Sequence, residues 1–286
     1  MKKLITVITL VLLSCSQAFA ASSVWKAQKG DSVIYLGGTC HLLRESDYPL
    51  PAEFEKAYKA AEVVVFETDI ARLNDPATQQ KLLAKAMYAD GSTIERHLSP
   101  KVYAALKAYC DANGIPLQAF SRMKPSLLMV TLTVLELSKM GVSQRGVDQY
   151  FHELAVKDGK GTEGLESVDQ QIDYVVSMAD GSENEFVSRS LEEMKELKEE
   201  FTRLLHAWRT GDSGALDELM VAEMKMRHPV LYGKLITARN RNWLPLIEGY
   251  QKTPRTEFIL VGAAHLVGAD GILAALKKKG YTVEQL

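Results

Sequence analysis

The stretch that decides the fold is VIYLGGTCHLL, residues Val33–Leu43. Its run of β-branched and aliphatic residues is typical of a buried strand, and it ends in two glycines before a histidine, His41. A second run, EFILVGAAHLVG, covers Glu257–Gly268 and ends in the same way, with Gly262 three positions before His265. Glycines permit tight turns and close backbone approach. Two strands that each end in Gly-x-x-His predict that the fold delivers both imidazoles into one shared site.

The flanking sequence predicts an α/β fold. Lys29-Gly30-Asp31 has turn chemistry between two strand-like runs, which indicates a hairpin. An amphipathic stretch that begins near Pro51 is followed by the run VVVFE, and strand, helix, strand in this order favours a parallel unit. We therefore predict a mixed, largely parallel sheet built from N- and C-terminal strands, with a large helical middle region at about residues 75–250.

The middle region carries helix signals of three kinds. Asp75-Pro76 and Ser99-Pro100 each place a capping residue before a proline, the pattern of a helix start. The segment 125–141 is apolar nearly all round, which predicts a buried helix. The segment 183–212 has apolar residues at three- and four-residue steps among many charges, which predicts a long helix with one solvated face.

The N-terminus is predicted to be a secretory signal, residues 1–20. Two lysines precede an apolar stretch and then Ala18-Phe19-Ala20, the order of such signals, and the apolar stretch is too short for a membrane anchor. We expect cleavage after Ala20, a single domain at 21–286, and a periplasmic or secreted protein. Leu12–Cys15 also resembles a lipobox, so the alternative is a membrane-tethered lipoprotein through Cys15. No later segment predicts a transmembrane anchor.

Charge and cysteine content narrow the function classes. The chain has 34 basic and 36 acidic residues, and cleavage after Ala20 removes two lysines and no acid. The resulting excess of four acidic residues gives no electrostatic case for nucleic acid. Cys40 and Cys110 would remain, and two cysteines make no disulfide framework. They would either pair in an oxidising compartment or stay free and buried.

Four polar residues fall where predicted strands end. His41 and His265 follow the two glycine-containing runs, Glu67 closes VVVFE, and Glu166 closes TEGLE. Sites in open α/β sheets form at the carboxyl edge of the strands, so parallel neighbours would bring the four together. Two histidines and a carboxylate are a common catalytic ligand set for a divalent metal, and a second carboxylate would serve as general base.

Other interpretations stay open at single positions. Asp69 lies two residues beyond Glu67 and competes for its role. Glu166 precedes a predicted helix, so its charge could instead stabilise the N-terminus of that helix. Arg239 and Trp243 share a helix face with Asn240 beside them, either as packing or as a cluster in which Arg239 clamps a carboxylate or stabilises an oxyanion. The remaining histidines are predicted to be surface or packing residues: His97, His152, His206 and His228.

The ordered set of motifs resembles the TraB/GumN family, which includes the Tiki proteins. The resemblance covers nearly the whole mature chain: YLGGTCHLLRESDYPLPAEFEKAYKAAEVVVFETD, GVDQYFHELAVKDGKGTEGLES, RNRNWLPLIE and VGAAHLVGADGILAALKKKGY. It implies a fold of the erythromycin-esterase and haem-binding ChaN type. It also implies a metal-dependent peptidase that uses the two motif histidines and glutamates, with His41, Glu67 and His265 at its core and Glu166 and Arg239 near them.

We therefore expect an exported metal-dependent hydrolase that acts on peptides or proteins. His41, Glu67 and His265 would bind zinc, manganese or cobalt; Glu67 and Glu166 would serve catalysis, and Arg239 would orient the substrate. One alternative is metal-free hydrolysis of the esterase type, with His and Glu as acid and base. Another is a protein that binds haem or a small ligand without turnover.

Overall fold

The computed structural model describes residues 22–143 and 145–286. The predicted signal and Cys15 lie outside the described residues, so cleavage and lipidation stay predictions. The strands are β1 (Val24–Lys29), β2 (Ser32–Thr39), β3 (Leu43–Arg44), β4 (Val63–Phe66), β5 (Val142–Ser143), β6 (Gly161–Gly164), β7 (Glu257–Gly262) and β8 (Thr282–Gln285).

A six-stranded sheet has the order β6-β4-β7-β2-β1-β8. Neighbours among β6, β4, β7 and β2 run parallel, while β1 is antiparallel to β2 and to β8. The predicted mixed, largely parallel sheet is confirmed. β7 comes from the C-terminal part of the chain and lies between β2 and β4, with Leu260 opposite Gly37 on one side and Phe66 on the other.

The helices lie mostly between β4 and β7, where the sequence predicts the helical middle region. They are α1 (Ala52–Ala60), α2 (Ile70–Leu73), α3 (Pro76–Ala86), α4 (Ile94–His97), α5 (Pro100–Ala112), α6 (Pro125–Ser138), α7 (Val147–Asp158), α8 (Val168–Val176), α9 (Glu183–Glu193), α10 (Leu197–Arg209), α11 (Ser213–Leu216), α12 (Glu223–Arg227), α13 (Pro229–Tyr232), α14 (Ala238–Tyr250), α15 (Ala263–Leu266) and α16 (Ile272–Lys278). Two π-helical segments, Asp217–Ala222 and Gly233–Thr237, join consecutive helices in the later part.

The predicted turn and helix starts agree with the structure. Gly30 joins β1 to β2 with a φ of +59°, a left-handed conformation that glycine adopts without steric cost. The carboxylate of Asp75 accepts backbone N–H groups at the start of α3, and the Ser99 hydroxyl does the same for α5. The chemistry of short capping and turn segments can therefore be recognised without tertiary information.

The central strands are covered on both faces. Val64 and Val65 of β4 are neighbours whose side chains point to opposite faces, and both are fully buried. Phe54 of α1, Phe151 of α7 and Phe258 of β7 pack against one another on one face. Burial on both faces explains why these strands are continuous apolar runs without alternation.

Two predictions for the helical region need correction. The segment 125–138 is not buried all round, because Val130 and Leu135 of α6 are each 38% exposed. The charged segment after Glu183 forms two helices, α9 and α10, whose apolar residues pack separately. Leu191 belongs to a helical cluster and Leu205 to the core around the sheet. In the described parts of the chain, no helix is long and apolar enough to cross a membrane.

Candidate functional site

The carboxyl edge of the sheet brings together the polar residues that follow its strands. Glu67 directly follows β4, His41 lies two residues after β2, Glu166 lies two residues after β6, and His265 is in α15 after β7. Because β6, β4, β7 and β2 are parallel neighbours, their ends meet at one edge. Arg239 on α14 reaches the same place. The predicted meeting of these side chains is present in the structure.

Arg239 joins the two glutamates. Its Nη2 donates to Glu67 Oε2 at 2.6 Å and to Glu166 Oε1 at 2.7 Å, and its Nε donates to Glu166 Oε2 at 3.0 Å. The side chains of Arg239, Glu67 and Glu166 are only 9%, 7% and 4% exposed. Burial by itself raises the pKa of Glu67, but Arg239, His265 and His41 together outweigh it and hold that pKa at about 2. Glu67 is therefore ionised at neutral pH.

Trp243 supports the far side of the guanidinium. Its ring lies 4.5 Å from the Arg239 guanidinium carbon, and its Nε1 donates to Glu166 Oε2 at 3.1 Å. The shared helix face predicted for these two residues is confirmed. Glu166 does not cap the N-terminus of the helix that follows it, because the Ser167 side chain caps α8 instead. Both Glu166 oxygens accept hydrogen bonds from Arg239 or Trp243, so Glu166 holds these two side chains in place.

His265 has a defined tautomer. Its Nδ1 lies 2.7 Å from Asn240 Oδ1, and Asn240 Nδ2 donates to the backbone carbonyls of His265 and Asp270, which orients the amide. Nδ1 therefore carries the proton, and Nε2 accepts from Arg239 Nη1 at 3.2 Å. Burial, with the charge of Arg239, lowers the pKa of His265 to about 3. The ring is neutral at physiological pH.

His41 is held by a partner that the sequence reasoning missed. Its Nδ1 lies 2.7 Å from Oδ2 of Asp148, in the first turn of α7, while the His41 side chain is 59% exposed. The charge of Asp148 raises the pKa of His41 to about 9, so the ring is mostly protonated at neutral pH and must lose its Nε2 proton to bind a metal or act as a base. An acid in a first helical turn is ordinarily explained by the helix dipole, so its residue type alone does not indicate a functional role. The one sequence signal for Asp148 is its place within GVDQYFHELA, a segment that resembles the family.

Gly262 leaves a space between the donor atoms. Its N–H donates to Glu67 Oε1 at 2.8 Å. A Cβ atom at this position would lie 3.3 Å from Glu67 Oε1, 3.4 Å from His41 Nε2 and 3.7 Å from His265 Cδ2. The two imidazoles, each held at Nδ1, and the carboxylate thus face one small space that the missing side chain keeps open.

The donor types and this space fit a divalent metal once the Nε2 proton of His41 leaves and one hydrogen bond of His265 opens. A metal-bound imidazole commonly donates its other ring N–H to a fixed acceptor, as both rings do here. Among residues 22–143 and 145–286, no three His, Cys, Asp or Glu side chains already form a cluster that could hold an ion. Since the lone pair of His265 Nε2 accepts from Arg239 Nη1, that hydrogen bond has to open before His265 can act as a ligand.

The other candidate residues lie away from this space. Asp69 is exposed and caps α2 through the Arg72 N–H, so it does not compete with Glu67. The predicted packing or surface role of the other histidines agrees with their contacts: His97 stacks on Tyr88, and His228 pairs with Glu193. Cys40 and Cys110 are both free and buried, so the disulfide alternative is not realised.

Gly146 fixes the distance between the His41 loop and α7. Val147 N–H donates to the Cys40 carbonyl at 3.0 Å, and a Cβ on Gly146 would overlap the backbone of both Cys40 and His41. We expect Gly146→Ala to lower the free energy of unfolding by about 1–3 kcal/mol. Any hydrolytic activity should fall about 100-fold, because His41 and Asp148 would move apart. Urea unfolding and an activity assay measure the two effects.

Gly249→Ala is the matched control for this change. Gly249 lies inside α14 with nothing within 4 Å of an added Cβ, so alanine should stabilise the helix by up to about 1 kcal/mol and leave activity unchanged. If Gly146→Ala and Gly249→Ala changed the free energy of unfolding and the activity by equal amounts, the role given to Gly146 would be contradicted.

The fold and site define an α/β protein with a buried His–Glu–Arg centre at the carboxyl edge of its sheet, formed from two Gly-x-x-His segments. The TraB/PrgY/gumN family model matches residues 23–285, and the chain belongs to that family. No curated protein and no solved structure matches it. The predicted family is thus confirmed, whereas the roles of the individual site residues stay predictions.

Proposed function

We propose that this protein is a metal-dependent hydrolase whose substrates are peptides or proteins, and that it acts after export from the cytoplasm. The observation that carries the proposal is the arrangement around Gly262. His41 and His265 are both oriented by acceptors on Nδ1, and Glu67 is ionised beside them. The peptide substrate follows from the resemblance to the Tiki proteins, and the export from the predicted signal at residues 1–20.

The charge balance of the site favours a cation. Glu67 is ionised and hydrogen-bonded to Arg239, which supplies one positive charge, while burial raises the pKa of Glu166 despite its own hydrogen bonds to Arg239. His265 is neutral, and a divalent ion beside Glu67 would favour the ionised form of Glu166, so the two carboxylates together would offset the added charge. His41, Glu67 and His265 would hold the ion, and Glu166 would keep Arg239 in place.

A bound zinc, manganese or cobalt ion would supply polarisation of the scissile carbonyl and activation of water. The chain's own residues prepare the site for that chemistry. Asp148 and Asn240 hold the protons on Nδ1 of the two rings, so both Nε2 atoms are directed to the ligand side. Arg239 and the Gly262 N–H hold the two oxygens of Glu67 in a fixed orientation. Apart from the Arg239–His265 hydrogen bond, which must open for the metal, these groups are already in place before the reaction.

Elemental analysis tests the proposal. We expect about one divalent metal ion per chain in the purified mature protein and none in His41→Ala or His265→Ala, because each variant removes one ligand. His206→Ala is the control, since His206 lies on α10, a helix that carries none of the candidate residues. Hydrolysis of a peptide library should stop on chelation and return with zinc, manganese or cobalt. Metal retained by both site variants would contradict the proposed ligands.

A second candidate rests on the exposed His41 and its buried partner Asp148. In a metal-free hydrolase, the unprotonated fraction of His41, which grows as the pH approaches its pKa of about 9, would take the proton of a water molecule at Nε2 as the water oxygen attacks the substrate carbonyl. Asp148 would stabilise the resulting imidazolium, and His41 would then return the proton to the leaving group. Full activity after exhaustive chelation would favour this candidate over the first.

A further inference from the structure

A cavity of about 330 Å³ opens beside His41, Glu67 and Asp148. Its wall opposite these residues comes from three helices that follow the sheet edge. Ligand pockets in proteins are commonly about 300–1,000 Å³ and largely apolar. The cavity therefore has the size of a site for one side chain and its adjoining main chain. Its apolar lining consists of Ile70 and Leu73 of α2, Leu82 of α3, and Ile172 and Val175 of α8.

The cavity wall is uncharged away from the candidate site. Among its described lining residues, only His41, Glu67 and Asp148 are ionisable. A charged side chain that entered the cavity would lose its hydration against the apolar wall, which is costly. An acidic one would also meet the carboxylates of Glu67 and Asp148, and a basic one would find both already paired with Arg239 and His41. The lining therefore selects for an uncharged, apolar group.

Gln171 adds a polar feature to this apolar wall. It lines the cavity from α8, and its Oε1 is buried with no hydrogen-bond partner among the described residues. A buried carbonyl oxygen without a donor is unfavourable, so such atoms usually have a partner. Because Oε1 itself is not accessible from the cavity, the Gln171 amide would have to turn before it could accept a substrate N–H, which would then supply the missing donor.

We propose that this cavity, the α2–α8 pocket, binds an apolar side chain of the peptide substrate next to the bond that is cleaved. On binding, the Gln171 amide turns so that its Oε1 accepts a main-chain N–H of the same substrate. The inference rests on the proposed function, since it places the pocket beside the reacting groups. It adds the substrate class: peptides with a leucine-like residue adjacent to the scissile bond, in preference to acidic or basic residues.

Binding of small amides tests the pocket without requiring turnover. The probes are N-acetyl-leucine amide and N-acetyl-aspartate amide, titrated into the full mature protein and followed by NMR. We expect the leucine amide to bind at least about tenfold more tightly, because only its side chain gains from burial against the apolar wall. Peptide pairs that differ only in leucine against aspartate should show the same preference in kcat/KM.

Two variants distinguish binding in the α2–α8 pocket from a general effect of substitution on the protein. Val175→Trp fills the cavity and should weaken binding of the leucine amide by about tenfold or more. Gln171→Leu removes the acceptor and should weaken it by about three- to tenfold, while the urea midpoint stays the same or rises because an unpaired polar atom is lost. Val156→Trp is the control, since Val156 is 66% exposed on α7 and outside the cavity.

Each outcome bears on the proposal. No binding of either amide, equal binding of both, or an unchanged affinity in both Val175→Trp and Gln171→Leu would overturn the pocket assignment. Selective binding that both variants weaken supports it. The same result in a protein that hydrolyses no peptide supports the pocket and overturns the proposed reaction, so the two failures are distinguishable.

Discussion

Arg239→Met is expected to lower the free energy of unfolding by about 3–5 kcal/mol at pH 7, the range for a broken buried ion pair. Methionine keeps most of the buried stem, but it leaves Glu67 and Glu166 without their shared guanidinium. Both carboxylates are buried, so water cannot replace the lost partner. Urea denaturation measures the loss.

The loss should be smaller at pH 4 than at pH 7. Without Arg239, burial raises the pKa of both glutamates in the folded protein above their unfolded values. The folded state then binds more protons than the unfolded state, and stability falls as pH rises through that interval. Protonation at low pH removes the uncompensated charge. The opposite pH trend would contradict the assignment of Arg239 as the counter-ion of both carboxylates.

Arg189→Met is the matched control for Arg239→Met. Arg189 pairs with Glu185 on the surface of α9 at 2.6 Å, with both side chains well exposed. Exposed pairs of this kind contribute about 0–1 kcal/mol. A loss in Arg239→Met no larger than in Arg189→Met would show that the buried network adds little to stability.

Asp148→Asn is expected to reduce kcat/KM by about 100-fold or more while the fold is retained. Asparagine has nearly the same shape, but its NH₂ group can turn towards His41 Nδ1. The neutral form of the imidazole would then carry its proton on Nε2 instead of Nδ1, and the lone pair with which that form faces Glu67 and Gly262 would be lost. Metal affinity should fall about 10–100-fold, as is usual when a partner behind a ligand is removed.

Three measurements separate positioning of His41 from a general structural effect. Kinetics give kcat and KM separately, metal titration gives the affinity, and ¹⁵N NMR of the imidazole reports which nitrogen carries the proton. Asp158→Asn is the control, because Asp158 ends the same helix, α7, and accepts from the Tyr58 hydroxyl at 2.9 Å. Unchanged activity and an unchanged His41 tautomer in Asp148→Asn would contradict the role of Asp148.

The strand ends could be predicted because parallel strands that are buried on both faces are continuous apolar runs, and each run stops at a glycine or a polar residue. In VVVFE the apolar run is interrupted only at Glu67, and a buried carboxylate requires a partner. His41 and His265 could be recognised for the same reason, since each follows a glycine that closes an apolar run. The order of the strands was less accessible: the whole helical middle region separates β4 from β7, and the two strands still pair directly.

The parts that sequence could not supply depend on contacts between distant segments. Asp148 lies 107 residues from His41, in a helix turn where acids are common. The i and i+4 spacing of Arg239 and Trp243 predicted a shared face, but not that the guanidinium joins two carboxylates. The α2–α8 pocket has walls from three helices, and no local pattern marks a cavity of this kind. The break between α9 and α10 was missed because amphipathic spacing continues across it.

The position of β7 also determines when the site can exist. β2 and β4 have no hydrogen bonds with each other, since their common neighbour is β7. A growing chain that has not yet extended past Gly262 therefore lacks the strand that joins the His41 side of the sheet to the Glu67 side. His265 follows that strand directly, so it is added later still. The centre thus assembles only after every other strand of its parallel edge has been synthesised, so a partly synthesised chain lacks the complete set of site residues.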